Sequence, residues 1–462
     1  MYNNQTEPET PPTFGERNRI LIKGLLVGFL ILLMLVPGIL VSDLVKERQQ
    51  RQADVVQEVS SKWAGPQTIS GPILMLPYKE YGKTTDGKMT EAIKMAYILP
   101  DEVHIDGDMQ AKEKKRSLYS VMLYQSGLKL SGRFGTLPLA ALQIAPESVM
   151  WQDARLLMGI GDVRGISDQV QLEWNGNKQL LDERITDHGM FAEGFSAPVT
   201  VNAQTPIAFS INLSLRGSGN LYFTPTAKTT DVTISANWNA PAFDGHYLPS
   251  DSEITGKSFK AHWKVLPYAR PYPQYWKNGV QNLSSGSFGV RLIQPVDGYA
   301  KTNRSVKYAI LFIALTFTFF FFLEILQKRQ VHPLQYILVG IALTIFYALL
   351  LSISEYTGFN IAYLIASTAT ISLIGMYAWS MFKSGKTAIG FTFALSALYG
   401  YIFILIQSED YALLFGSIGL FVIIAIIMYY SRKIDWYGIT RHSSYDSALT
   451  QSPIQQPTGL TN

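Results

Sequence analysis

The chain has 462 residues, a formal net charge of +4 and no cysteine. So small a charge argues against a nucleic-acid partner, because nucleic-acid-binding domains carry a pronounced basic excess. The absence of cysteine excludes disulfide bonds, thiolate metal ligands and cysteine catalysis. Apolar residues make up 47% of the chain but crowd into its first tenth and its last third, which predicts a membrane protein with a soluble middle region.

The first apolar segment, residues 20–41, predicts a transmembrane anchor. It is long enough to cross a bilayer, which takes about 20 mostly apolar residues. Arg17, Arg19 and Lys23 lie at its start, as they also would in a signal peptide. The segment is longer than a typical signal core and no small-residue cleavage site follows it, so we expect the anchor to be retained. The preceding residues, 1–19, are predicted to be a disordered tail.

Residues 42–307 mix polar and apolar residues and predict a large β-rich domain. Apolar and polar residues alternate along 209–215 and 232–238, which is the period of a strand with one buried face. Clusters of Gly, Asn or Pro bound both segments and indicate turns. We therefore expect a sandwich-like fold in this part of the chain.

Finer features are predicted within the same region. A helix over residues 46–62 extends the anchor as a stalk, because valines recur there among charged and Gln residues. A β-hairpin is expected over residues 121–134, with its turn near Ser126 and Gly127. The domain is either one unit or two subdomains that divide near residue 145.

Five further apolar segments follow in the last third of the chain, and each is long enough to span a membrane. Their connections are short, so we expect an antiparallel bundle within residues 308–430. The segments are residues 308–326, 334–353, 359–382, 387–406 and 411–430. The predicted fold class is a membrane protein with six transmembrane helices, one anchor plus a five-helix bundle, and a large β-rich domain. Residues 431–462 are predicted to be a mostly disordered tail.

The distribution of basic residues predicts the orientation in the membrane. With a cytoplasmic N-terminus, the short inner connections carry Lys and Arg, whereas the short outer connections carry only acidic charges. The inner residues are Lys328, Arg329, Lys383, Lys386, Arg432 and Lys433, and the outer ones are Glu355, Glu409 and Asp410. Both termini are therefore expected in the cytoplasm. The basic residues that flank the large domain disagree, but long translocated domains count little in this rule.

Sequence motifs for catalysis or metal binding do not appear in convincing contexts. Residues 159–162 match the short G-x-G-D pattern of membrane-embedded aspartyl proteases, but they lie in the polar middle region, where a turn is favoured. The six histidines show no metal-ligand spacing. No G-x-S-x-G elbow and no phosphate-binding loop is present. We predict no catalytic residue, no cofactor and no metal, and hence no enzyme.

Glu324 and Glu355 are the acidic residues nearest to membrane depth, where a charge is costly. Lys328 follows Glu324 by four residues, which favours an ion pair at the membrane surface. If this helix continues beyond Lys328, it places Glu324, Lys328 and His332 on one face. Pro333 would then begin the next helix. The pattern predicts a structural motif that sets the packing angle of two helices, and for Glu355 it predicts an exposed or hydrogen-bonded carboxylate.

The segment from Tyr308 to Tyr347, followed by residues 349–355, also carries a family resemblance. With Ser70–Tyr78, Leu215–Ser218 and residues 243–249, it resembles the CreD family of bacterial inner-membrane proteins. The resemblance extends over nearly the whole chain except its tails, with small departures at residues 116–119 and 161–166. Residues singled out as structural or functional candidates from the family-like segment are Glu324, Lys328, His332, Pro333, Gln335, Tyr336, Gly340 and Glu355.

The resemblance implies an inner-membrane protein with a periplasmic domain and a role in cell envelope integrity or an envelope stress response. Such proteins are linked to tolerance of E-type colicins and to a two-component envelope or carbon-source response. It implies no catalytic residue. We therefore expect a non-enzymatic protein that binds another envelope component, whether a protein, a lipid or a glycan, through the periplasmic domain. A small-molecule, lipid or peptide translocator built on the helix bundle is the alternative, and an enzyme with an unrecognised periplasmic site ranks third. The sequence leaves the partner and the oligomeric state open.

Overall fold

The computed structural model describes residues 19–83, 89–181, 183–185, 190–293, 298–327, 330–408 and 411–432. They belong to two compact units, one formed by the chain up to residue 50 together with residues from 296 onward, and the other by residues 51–295. Nearly all of the two predicted tails, and Lys328, lie outside the described residues.

The helices of the described residues include all the predicted membrane spans. Six helical segments are long and apolar enough to cross a membrane, namely the N-terminal one and the last five, so this prediction is confirmed. The five bundle segments agree with the predicted bounds to within four residues. The helices are α1 (Arg19–Leu33), α2 (Leu35–Trp63), α3 (Gly298–Lys307), α4 (Ala309–Leu326), α5 (Pro333–Thr357), α6 (Phe359–Phe382), α7 (Gly385–Gln407) and α8 (Ala412–Ser431).

The N-terminal helical segment is interrupted at a single residue, Met34, between α1 and α2. Pro37 accounts for the irregularity, since it has no N–H to bond the carbonyl of Leu33 and its ring crowds that carbonyl. Beyond the interruption, α2 continues without a break to Trp63. The predicted stalk helix is therefore confirmed as the second half of α2.

Residues 51–295 form a β-rich unit with two sheets in its described part. The first sheet has nine strands in the order β13-β17-β11-β1-β5-β9-β8, with β2 beside β1 and β16 beside β2. The second has eight, in the order β14-β15-β12-β3-β4-β10-β6-β7. The strands are β1 (Gln67–Lys83), β2 (Met89–Ile98), β3 (Glu102–Arg116), β4 (Tyr119–Phe134), β5 (Arg155–Gly159), β6 (Gln171–Trp174), β7 (Asn177–Leu180), β8 (Glu183–Arg184), β9 (Gly194–Pro198), β10 (Ile207–Ser218), β11 (Asn220–Phe223), β12 (Thr229–Ala236), β13 (Pro241–Gly245), β14 (Asp251–Ile254), β15 (Phe259–Val265), β16 (Tyr275–Lys277) and β17 (Phe288–Leu292).

Buried side chains of both sheets belong to one hydrophobic core. Leu74 and Phe288 come from the first sheet, and Leu130, Leu213 and Trp263 come from the second. The predicted alternation is confirmed in β10 and β12, where every second residue is buried. Strands from before and after residue 145 contribute to each sheet. A sandwich with one buried face per strand is what period-two patterning specifies.

The hairpin predicted over residues 121–134 is wrong. This segment is part of one long strand, β4, and Gly127 pairs with Asp108 of β3 on one side and with Ser214 of β10 on the other. Two flanking strands supply the hydrogen bonds that keep the Ser-Gly pair extended. The turn lies earlier, between β3 and β4, where Ser117 has a φ of 56°.

The G-x-G-D segment, residues 159–162, ends β5 and enters a short 3-10 helix, so the predicted turn is confirmed. The Asp162 carboxylate is buried and accepts hydrogen bonds from the backbone N–H of Gly65 at 2.8 Å and from the Arg164 guanidinium. The side-chain hydrogen bonds from Arg164 lower the pKa of Asp162 to about 2. Arg164 also donates to the carbonyl of Ser61 near the end of α2. Asp162 therefore joins the stalk helix to the β-rich unit.

Candidate functional site

The most elaborate polar cluster in the helix bundle surrounds the buried carboxylate of Glu324 near the end of α4. Lys23 of α1 forms an ion pair with it and also donates to the carbonyl of Val331 at 2.8 Å. The backbone N–H of Val331 donates to Glu324 at 3.0 Å, and so does the hydroxyl of Tyr336. Each charge is paired and hydrogen-bonded, which is the condition under which a buried ion pair is tolerated.

The start of α5 is fixed by a capping box next to this cluster. The Nδ1 atom of His332 accepts from the backbone N–H of Leu334 at 3.3 Å, and the side chain of Gln335 accepts from the backbone N–H of His332. Pro333 occupies the first helical position, where its missing N–H has no intrahelical partner to lose. The two caps and the proline together fix where α5 begins.

Gly340 allows α5 to approach its neighbours closely. A Cβ atom at this position would lie 2.6 Å from the Sδ of Met34 and 3.0 Å from a ring carbon of Phe317. The contact therefore involves the N-terminal helical segment and α4 at once. Because Tyr336, one turn earlier on α5, bonds Glu324, the same side of α5 carries the polar cluster and the close contact.

Glu355 lies near the far end of α5 and belongs to a second polar cluster. Its carboxylate accepts from the hydroxyl of Tyr299 in α3 at 3.0 Å and lies 3.7 Å from Nε of Arg48 in α2. The side chain is only 8% exposed, so the prediction of a hydrogen-bonded carboxylate is confirmed. Nearby, Lys301 of α3 donates to Gln407 at the end of α7.

The structure corrects the predicted geometry around Glu324. The helix that carries Glu324 ends at Leu326, and His332 is extended rather than helical, so a continuous face running from Glu324 to His332 is wrong. Lys328, the expected partner, lies outside the described residues. The partner that the structure provides is Lys23, which sequence reasoning missed. The signal was a lysine inside an apolar segment, where an unpaired charge is costly.

Aromatic rings fill the interior of the bundle. Phe312, Phe346 and Tyr399 contact one another with ring centroids 4.5 to 5.9 Å apart, and Phe320 lies 4.4 Å from Phe391. Such tilted and edge-on contacts stabilise a packed core. Among the described residues, no group of three or more His, Asp or Glu side chains is placed to hold a metal ion.

The β-rich unit carries an exposed apolar surface on the hairpin of β1 and β2. Tyr81, Met89 and Ile93 are 57 to 65% exposed. Tyr81 is opposite Glu91, and Ile93 is opposite Lys79, so these three apolar side chains share one face of the hairpin. We call Tyr81, Met89 and Ile93 the arm face. An ion pair of 2.8 Å between Lys79 and Glu91 crosses it.

Six helices long and apolar enough to span a membrane, with ion pairs and aromatic rings between them, and a separate two-sheet unit define a multi-pass membrane protein with a large β-rich domain. Residues 19–437 match the family model for the inner membrane protein CreD. The chain is also 33% identical over 417 residues to the inner membrane protein CreD of Escherichia coli strain K12, which covers 89% of this chain and 92% of that protein.

The chain belongs to the CreD family of inner membrane proteins. The family resemblance seen in the sequence is thereby confirmed. The family and the helices together make the protein a multi-pass protein of the inner membrane.

Proposed function

We propose that this protein is a non-catalytic component of the cell envelope whose β-rich domain lies in the periplasm and binds another envelope component. In this role the six helices hold the domain at the inner membrane, and the polar clusters at Glu324 and Glu355 stabilise the helix packing. Binding contributes to envelope integrity. The partner is a protein, a lipid or a glycan that reaches the periplasmic side of the inner membrane.

The observation that carries this proposal is the arm face. Large apolar side chains that share one face are seldom left in water unless another molecule covers them. The two strands of the hairpin pair with each other as far as Lys83 and Met89, beyond the residues that are buried in the domain. A two-stranded ribbon gains little stability from such exposed side chains on its own. Their placement is therefore better explained by a binding partner than by folding.

Photo-crosslinking in intact cells tests the proposal. A photoactivatable residue is placed at Ile93 on the arm face, and the matched control places it at Ala92, which is also exposed but points to the opposite face. We expect a discrete crosslinked species for Ile93 that is absent for Ala92. Equal crosslinking from both positions, or none from either, would contradict a binding role for this face.

A second experiment tests function with the double variant Tyr81→Ser and Ile93→Ser. Both side chains are exposed, so the folded domain should tolerate the exchange with a stability change within about 0.5 kcal/mol. We expect normal abundance in the membrane but increased sensitivity of the cells to detergents. Wild-type resistance to detergents in cells that carry this variant would show that the arm face is not needed for the function.

The translocator remains the second candidate, because buried hydroxyl groups inside the bundle have no hydrogen-bond partner among the described residues. The hydroxyls of Tyr347 and Thr316 are two of them. Buried hydroxyls of this kind suit a polar substrate passing between helices. The aromatic packing of the core favours the binding role instead. Tyr347→Phe removes one hydroxyl without changing the ring, and a translocator predicts loss of function from this change at unaltered abundance.

A further inference from the structure

A groove opens between α6 and α7 on the outer surface of the helix bundle. Its volume is about 580 Å³, within the range of small-molecule sites. Small residues make the space, among them Gly375 and Ala388, and Ser372 and Ser396 lie at one end of it. Gly375 is required for the close approach of the two helices, because a Cβ there would lie 2.6 Å from Oγ1 of Thr392.

The groove has the length and position of one acyl chain. It extends along α7 from Gly385 to Ser396, and eleven residues of helix correspond to about 16 Å. That is about half of the ~30 Å hydrocarbon core, or one leaflet of the bilayer. Trp379, which is 63% exposed, lies at the end of the groove nearest the connection of the two helices. Tryptophan prefers the membrane–water interface, so this end is expected at headgroup depth.

Two basic residues stand beside that same end. Lys383 lies in the short connection, Lys386 lies in the first turn of α7, and both side chains are exposed. No carboxylate within the described parts of the chain forms an ion pair with either of them, unlike Lys23 at the Glu324 cluster. An apolar groove that ends at two uncompensated cations is complementary to a molecule with an apolar chain and an anionic head.

We propose that the groove between α6 and α7 binds an anionic phospholipid, with one acyl chain between Gly375 and Ala388 and the phosphate at Lys383 and Lys386. The hydroxyls of Thr392 and Ser396 donate hydrogen bonds to backbone carbonyls of their own helix. They therefore need no polar partner from the acyl chain. A second transmembrane helix is a poorer match for this site. It would cover the apolar groove but leave the two lysines without an anionic partner.

Binding is measured on the full-length protein in neutral detergent, by titration with phosphatidylglycerol, phosphatidylcholine and glycerol phosphate. The readout is the number of bound lipids in native mass spectrometry and the shift of Tm. We expect phosphatidylglycerol to bind at least tenfold more tightly than phosphatidylcholine, since each lysine contributes about fivefold near an anionic headgroup. Glycerol phosphate, which lacks acyl chains, should leave Tm unchanged. Equal binding of the two lipids, or a comparable shift with glycerol phosphate, would overturn the assignment.

Matched variants separate the groove from its surroundings. Ser396→Phe and, independently, Ser372→Phe fill the groove and should abolish the preference for phosphatidylglycerol. Ser417→Phe on α8 is the control, because Ser417 is exposed on another spanning helix and its hydroxyl also bonds a carbonyl of its own helix. The double variant Lys383→Gln with Lys386→Gln should weaken binding more than tenfold, whereas Lys307→Gln at the exposed end of α3 should not.

A photoactivatable acyl chain on phosphatidylglycerol completes the test. Crosslinks to Ala388 or Ile389, lost in Ser396→Phe, support the proposal. Wild-type binding by both groove-filling variants would overturn it. Crosslinking of the groove to a second copy of this chain in lipid bilayers would also overturn it, because a helix would then occupy the space assigned to the acyl chain.

Discussion

Glu324 stabilises the packing of the bundle, because its carboxylate at the end of α4 contacts Lys23 of α1 and both Val331 and Tyr336 at the start of α5. We expect Glu324→Gln to lower the free energy of unfolding by about 2 kcal/mol, since it leaves the partly buried Lys23 ammonium without its counter-charge. The measurement is the thermal stability of the full chain in detergent. Adding Lys23→Gln to the same variant should recover part of the loss.

The same substitution distinguishes a structural role from a chemical one. Glu324→Gln and His332→Gln should reduce the amount of protein in the membrane, because one breaks the ion pair and the other weakens the cap of α5. The envelope phenotype should then scale with the protein that remains. A complete loss of phenotype at normal abundance in His332→Gln would show that this residue takes part in chemistry instead.

Asp162 gives the β-rich domain a predictable response to acid. Its pKa of about 2 lies below the ordinary value of 3.8, so the charged form stabilises the fold above about pH 4, and this contribution is lost as the pH falls through 2. We expect Asp162→Asn to cost about 2 kcal/mol at neutral pH. Urea unfolding of residues 51–295 at pH 7 and pH 2.5 measures both effects.

The control for that experiment is Asp168→Asn, because Asp168 is exposed and, within the described parts of the chain, accepts a hydrogen bond only from the backbone N–H of Gln169. It should leave the stability unchanged at both pH values. The variant Asp162→Asn should lose less stability on acidification than the wild type. An equal loss in both proteins would show that Asp162 does not carry the acid sensitivity.

At the scale of single elements, the contact of α5 with its neighbours depends on Gly340. We expect Gly340→Val to destabilise the bundle by about 2 kcal/mol or more, because an added Cβ would already lie 2.6 Å from the Sδ of Met34 and 3.0 Å from a ring carbon of Phe317. Gly400→Val in α7 is the matched control, because no atom lies within 4 Å of a Cβ added at Gly400. A fall of Tm in Gly340→Val no larger than that of the control would contradict the close packing.

The spanning helices were predictable because about 20 consecutive apolar residues have few alternatives to crossing a membrane. The strands β10 and β12 were predictable from their alternation. The sequence wrongly predicted a hairpin near Ser126, because a Ser-Gly pair is also compatible with a long strand that is hydrogen-bonded on both sides. The pairing of Lys23 with Glu324 joins residues 301 positions apart, and no local pattern specifies so distant a contact.

For the β-rich domain as a whole, we expect folding that needs neither disulfides nor metal. The chain contains no cysteine, and its two sheets enclose a continuous apolar core. The isolated residues 51–295 should melt cooperatively, and reductant and EDTA should leave Tm unchanged. A loss of the β-type circular dichroism on adding EDTA would refute this expectation.

The proposed role of the whole molecule depends on one arrangement, in which the β-rich domain faces the periplasm and the connection between α6 and α7 faces the cytoplasm. Because the chain lacks cysteine, single cysteines report on this arrangement without a background. Ser252 in β14 is exposed and suits labelling. Ser384 lies in the connection between α6 and α7.

The decisive measurement is labelling of Ser252→Cys and Ser384→Cys by a membrane-impermeant thiol reagent in intact spheroplasts, with lysed cells as the control for reactivity. We expect labelling of Ser252→Cys before lysis and of Ser384→Cys only after lysis. Labelling of Ser384→Cys in intact spheroplasts, with protection of Ser252→Cys, would reverse the orientation and contradict a periplasmic binding role.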